Sequence, residues 1–249
     1  MWGKMLLHSC LDVLFPPRCA VCNGHQLRCG GNAICLGCRE RVRWVEEPVC
    51  FICGMELYAQ STANPICGEC LKKTPPFEYA RSLFYYSDEI RTLVSSLKYK
   101  RDTSVLPAID ELVRECDLSA YNACDYIVPV PLHKKRLQQR GFNQALLLAK
   151  ICFGRSDTRI RSTILQRTRN TVPQVSLDGK ERRRSLKNAF TVRPGVTLSG
   201  ATICLVDDVY TTGTTVSECS RGLLSRGAKR ILVLTLARVD VPHRGRSLI

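Results

Sequence analysis

The sequence predicts an α/β protein in which a parallel sheet flanked by helices follows a small, cysteine-bound domain. Three observations predict it. A βαβ unit lies between Ile203 and Ala237, eight cysteines fall into four C-x-x-C pairs before Leu71, and 45% of the 249 residues are apolar, enough for a real core. Ile203-Cys204-Leu205-Val206 is a short apolar run of the kind a buried parallel strand needs. Asp207 and Asp208 stand where that strand is expected to end, and the small-residue stretch Thr211-Thr212-Gly213-Thr214-Thr215 follows. A helix is expected from Val216 to Arg226, with Gly227 as its stop, and Ile231 to Ala237 reads as the next strand. Such units bind ligands at the carboxyl ends of their strands.

The loop and the acids suggest which ligand. Backbone N–H groups in a glycine-containing turn at a helix N-terminus cradle an anion, and threonine hydroxyls add donors suited to phosphate oxygens. Two adjacent carboxylates do not favour phosphate by charge. They suit paired sugar hydroxyls, or help to hold a metal. Vicinal diol plus phosphate describes a ribose 5-phosphate.

Composition narrows the setting. Net charge is +15, with 37 Lys and Arg against 22 Asp and Glu. That excess points to an anionic partner, either nucleic acid or a phosphorylated small molecule. Aromatic residues are only 7%, so stacking platforms for single strands are not abundant. No apolar run is long enough to span a bilayer. Residues 1–18 are mildly apolar but broken by Lys4, His8 and Asp12, which reads as a short amphipathic helix rather than a signal peptide, in a cytoplasmic protein.

Residues 19–73 read as a double zinc ribbon. The pairs are Cys19/Cys22, Cys35/Cys38, Cys50/Cys53 and Cys67/Cys70, and each can present two thiolates to one tetrahedral zinc ion. The other seven of 15 cysteines are scattered, which argues against a disulfide framework and for a reducing compartment. Sequential pairing is the simplest arrangement, although the spacing also allows a cross-braced one. Four thiolates close the coordination shell, so both ions are expected to be structural. Cys29 has no partner two residues away and is read as a non-ligand.

Thr74-Pro75-Pro76 marks the boundary to a second domain over 77–240. Arg81 to Tyr86 reads as a strand. Ile90, Leu93, Val94 and Leu97 then fall at helical spacing behind Ser87 or Asp88, in a helix that ends near Lys98. Tyr126 to Pro131 reads as a strand and a constrained loop, followed by the cations Lys134, Lys135 and Arg136. Asn143 begins a further helix. Leu165 to Phe190 is the most basic stretch and lacks apolar periodicity, as a mobile lid beside a phosphate site would.

The segment Val206 to Thr215 resembles the 5-phosphoribosyl 1-pyrophosphate (PRPP) signature of the type I phosphoribosyltransferases. The resemblance implies that Asp207 and Asp208 take the ribose hydroxyls, and that Val209, Thr211, Thr212, Gly213, Thr214 and Thr215 surround the 5-phosphate. It places Lys134, Lys135 and Arg136 at the pyrophosphate, and makes Lys98, Asp207 and Asp208 the candidate catalytic residues. Tyr210 departs from the aliphatic residue usual there. Leu97-Lys98-Tyr99, Pro129-Val130-Pro131-Leu132, Arg140-Gly141-Phe142-Asn143-Gln144, Arg167-x-x-x-Thr171-x-Pro173-Gln174 and Asn188-Ala189-Phe190 further resemble the ComF family, in order and over nearly the whole chain. Lys100-Arg101-Asp102 departs from that pattern, where glycine is commoner. The family is linked to natural transformation and to use of external DNA.

Two functions follow as expectations. In the first, Mg²⁺ and PRPP bind and an acceptor displaces pyrophosphate at C1 of ribose. Catalysis then comes from positioning and charge, which fits a chain without a Ser-His-Asp or Cys-His set. In the second, the fold binds PRPP or single-stranded DNA without turnover, beside a helicase-like competence partner.

Overall fold

The computed structural model describes residues 18–24, 33–57, 64–169 and 189–240. The expected N-terminal helix (Arg18 apart), Cys29, and residues 170–188 of the expected lid lie outside the described residues.

Four strands form one parallel sheet: β1 (Tyr79–Tyr85), β2 (Tyr126–Pro129), β5 (Thr202–Tyr210) and β6 (Arg230–Arg238), in the order β1-β6-β5-β2. The most apolar strands are central, because a strand covered on both faces has no wet side. Alternate residues of β5 and β6 feed two separate cores. Ile203, Leu205, Ile231 and Val233 enter one, and Cys204, Val206, Leu232 and Leu234 enter the other. Burying an Ile or Leu side chain fully contributes roughly 1.5–3 kcal/mol.

Helices α3 (Asp88–Ser95), α4 (Leu106–Val113) and α6 (Gln144–Phe153) supply Ile90, Leu93, Ile109, Leu112 and Leu148 to the second of these cores. Helix α7 (Thr214–Leu224) supplies Val216, Cys219 and Leu223 to the first. The antiparallel pair β3 (Leu165–Arg167) and β4 (Phe190–Val192) packs beside α7. Two short helices, α1 (Leu36–Glu40) and α2 (Gly68–Lys72), begin directly after Cys35 and Cys67. Each cysteine cluster joins a different core, Cys19 and Cys38 on one face of the sheet and Cys50, Cys53, Cys67 and Cys70 on the other.

Both outer edges of the sheet are covered. On β1, Ala80 N–H donates to Ile52 C=O at 2.7 Å, Tyr85 N–H to Arg43 C=O at 2.8 Å, and Leu83 C=O accepts from Val45 N–H at 3.1 Å. On β2, Ile127 exchanges two bonds of 2.9 Å with Arg159 and Arg161. Among the described residues no helix is long and apolar enough to cross a membrane.

Three expectations need correction. β5 does not stop at the acids but continues through Asp207 and Asp208 to Tyr210, because Asp207 and Val209 stay in register with Thr235 and Ala237 of β6. The cations after Pro131 do not form a loop. They open helix α5 (Lys134–Arg140), capped by His133, whose Nδ1 accepts from Lys135 N–H at 3.3 Å. The helix carrying Lys98 changes winding after Ser95, so Ser96–Lys100 is a wider π turn closed by Arg101 in the left-handed region.

Candidate functional site

The two cysteine clusters are geometrically complete. Cys19, Cys22, Cys35 and Cys38 form one, and Cys50, Cys53, Cys67 and Cys70 the other; within each, all four sulfur atoms lie within 4.8 Å of one another. This settles the pairing as sequential, which spacing alone left open. Backbone amides aim at the sulfurs, as thiolates require. Val21 and Cys35 N–H donate to Cys19 Sγ at 3.4 Å each, and Cys67 N–H donates to Cys50 Sγ at 3.3 Å. Burial raises the Cys19 thiol, but the amide donors outweigh it and bring it down to about 6. Soft donors in fours suit zinc and leave no open position, so the donor set fits structural Zn²⁺.

The second constellation forms at the carboxyl ends of β2 and β5. Asp207 and Asp208 sit three and two residues before the end of β5. Asp208 is buried, and Lys98 Nζ lies 2.7 Å from its Oδ2, a charge contact poorly aligned as a hydrogen bond. Burial alone would lower Lys98, but the charge of Asp208 outweighs it and holds the ammonium above its ordinary range. The π turn thus aims Lys98 at the acids, where a solvated helix end would have aimed it at water. Asp207 is pushed up to about 7, first by burial and then by the charge of Asp208.

The loop after β5 is built around Gly213. It caps α7 with φ of +69°, in the left-handed region, and no side chain caps the helix. The first amides of α7 therefore face outward without an intrahelical acceptor. Thr212 and Thr214 hydroxyls lie 2.8 Å apart, and Thr214 and Thr215 open the helix. Tyr210 packs under this loop so closely that a Cβ on Gly213 would sit 2.7 Å from its Cζ. Gly213→Ala is therefore expected to cost on the order of 1–3 kcal/mol of stability through strain, read as a lower urea midpoint.

The cations divide. Lys134 and Lys135 are exposed on the outside of α5, whereas Arg136 is half-buried. Two guanidinium groups not predicted as site residues join Arg136. Arg140 ends α5 and donates to Gln144 Oε1. It is lowered mainly by burial, with the charge of Asp208 opposing. Arg167 of β3, which pairs with His133 through a bridge, is lowered by burial and by Arg136, with Asp207 opposing. Both residues belong to segments singled out by resemblance, but their convergence on the acids needs the folded topology. The Arg140-Gly141-Phe142-Asn143-Gln144 segment now has a physical role. Gly141 turns the chain at φ of +87°, and Asn143 caps α6 by accepting from Ala145 N–H at 3.0 Å while donating to Val130 C=O at 3.0 Å. That locks the start of α6 to the end of β2. Tyr99, 68% exposed, stands at the rim beside Lys98.

Fold and site together define an α/β protein with four parallel strands and two four-cysteine zinc-type clusters. A family described as a double zinc ribbon domain matches residues 10–78. Competence protein F of Haemophilus influenzae (strain Rd) is 33% identical over 229 residues, covering 89% of this chain and 96% of its own. DNA utilization protein YhgH of Escherichia coli (strain K12) is 33% identical over 228 residues, covering 90% and 97%. Competence protein ComFC of Bacillus subtilis (strain 168) is 27% identical over 213 residues, covering 82% and 84%. The chain belongs to the ComF family. A purine phosphoribosyltransferase from Pyrococcus horikoshii Ot3 overlaps 61% of this chain and 94% of its own at 18% identity and a TM-score of 0.31, too loose a superposition to bear on function.

Proposed function

We propose that this chain binds PRPP with Mg²⁺ between β5, the Gly213 loop and α5, and that it does so in the uptake or use of external DNA. One observation carries the ligand: the buried Asp208, ion-paired to Lys98 at 2.7 Å, lies near the end of β5, five residues before the glycine cap of a helix N-terminus. Acids for the ribose hydroxyls and a cradle for the 5-phosphate are thus adjacent, in the order the sequence resemblance implies. Lys98, Arg136, Arg140 and Arg167 gather on the acid side, where the ligand's diphosphate would bring negative charge. Mg²⁺ prefers one or two carboxylates plus phosphate oxygens, a donor set that Asp207, Asp208 and PRPP supply together. The role in DNA uptake or use is supported by the names of the relatives, a competence protein and a DNA utilization protein. Calorimetric titration of the zinc-loaded protein with PRPP and Mg²⁺ tests the reading: saturable heat at one site per chain is expected, and no heat with no thermal stabilisation would overturn it.

A second reading is favoured by the net charge of +15. The chain would bind single-stranded DNA, beside a helicase-like partner, without turning PRPP over. Binding measured by fluorescence anisotropy is then expected to weaken about 10-fold or more between 50 and 200 mM salt. Binding that ignores salt would exclude a phosphate-backbone contact.

A further inference from the structure

We infer that the second cysteine cluster sets the shape of the Gly213 loop through Arg238 and Tyr210, so that metal at this cluster controls the affinity of the loop for its phosphate ligand. The inference rests on the PRPP reading for its ligand, but not for its mechanics. Arg238 ends β6 and is 95% buried, an unusual place for a guanidinium. Its Nη1 donates to Cys53 C=O at 2.9 Å. Its guanidinium also lies over the ring of Tyr210, 5.6 Å from the centroid. Tyr210 in turn fills the space beneath Gly213, where even a Cβ would collide with it. A continuous set of contacts therefore runs from a metal-ligand backbone to the loop.

The cluster end of this set is rigid only when the four sulfurs are held together. Cys53 is followed by Gly54, which adopts φ of +68° and approaches β1 so closely that a Cβ would lie 2.6 Å from Ala80 C=O. Gly54 N–H donates to Cys50 C=O at 2.8 Å, and Cys50 N–H to Met55 C=O at 2.7 Å. The carbonyl that holds Arg238 thus belongs to the tight turn whose two cysteines bind metal. Without metal, four thiols within 4.8 Å have no common partner, and the turn loses what keeps that carbonyl in place. A buried guanidinium that loses its acceptor moves toward another, and Tyr210 moves with it. In the first cluster Cys19 and Cys38 enter the opposite core, away from Tyr210.

The test uses Arg238→Met, which keeps bulk and removes the donor, with Arg238→Lys and Tyr210→Phe beside it. Zinc content is measured first. Arg238→Met is expected to retain two zinc ions per chain, as wild type does, yet to bind PRPP about 10-fold or more weakly, on the scale of one lost charge-assisted hydrogen bond. Tyr210→Phe keeps the ring under Arg238 but removes the hydroxyl nearest Gly213, and is expected to weaken binding less than Arg238→Met does. Arg238→Lys, which keeps charge but not the planar fork, falls between. Hydrogen exchange of the 209–217 segment is read on the same samples without ligand, and its protection is expected to fall in Arg238→Met. Unchanged exchange with both zinc ions bound would overturn the inference. If wild type binds no PRPP while exchange still responds, the ligand reading fails and the coupling stands.

Discussion

Asp207→Asn combined with Asp208→Asn is expected to weaken PRPP binding by at least about 100-fold while leaving two zinc ions per chain. In the proposed complex each carboxylate would accept from a ribose hydroxyl, and a charge-assisted bond of this kind contributes about 1.5–3 kcal/mol, so losing two exceeds the 2.7 kcal/mol that corresponds roughly to a factor of 100. Calorimetry with Mg²⁺ and PRPP measures it, and an unchanged affinity would remove the acids from the site. The single variants separate binding from folding. Asp207 has its carboxyl raised from 3.8 to about 7 by burial and then by Asp208, so the fold favours its neutral form. Stability associated with that proton is complete below the unfolded value near 3.8 and is lost as pH rises through about 7. Asp207→Asn, neutral at every pH, is therefore expected to melt higher than wild type at pH 8 but not at pH 4, although it binds the ligand poorly. Asp208→Asn should instead melt lower at pH 8, because it strips Lys98 of the anion 2.7 Å away.

Removing zinc is expected to have the largest effect on the fold. Structural zinc in four-cysteine sites contributes on the order of 10 kcal/mol to the folding of small domains, more than most proteins have to lose. Release followed with a chromogenic chelator should show two phases of equal amplitude. The faster belongs to the first cluster, where Cys22 is exposed and Cys35 half-buried; the slower belongs to the second, whose four cysteines are all buried. Melting temperature should fall mainly with the slower phase, because all four of those cysteines are buried in a core of the sheet with Phe77, Ala80 and Tyr210, whereas the first cluster buries only Cys19 and Cys38. A single phase, or a first phase that unfolds the chain, would contradict this ordering.

Much of the sheet and its acidic edge was legible because apolar runs and turn glycines mark parallel strands locally. Tyr126–Pro129 and the acid-loop-helix order needed nothing from the rest of the chain. Helix α5 was not legible. None of its residues is buried, so it carries no apolar stripe, and a run of cations after two prolines reads as loop. The strand was read too short because carboxylates are depleted from strands, yet β6 holds Asp207 in register from the side. Arg140 and Arg167 lie far apart in sequence, and the pairing of His133 with Arg167 brings their elements together. Tyr210 looked like a mild deviation from a motif; its role under Gly213 depends on contacts that no spacing encodes.

The outer hydrogen bonds of β1 have a consequence beyond this single molecule. Arg43, Val45 and Ile52, which occupy that edge, come from chain segments gathered around the two metal sites. A chain short of zinc would free the outer edge of β1, whose Ala80 and Tyr85 amides and Leu83 carbonyl lose their partners while the inner edge stays paired with β6. Such an edge is a template for strand addition between molecules. Removing zinc is therefore expected to raise the chain's tendency to self-associate through this edge, which light scattering during chelation would report.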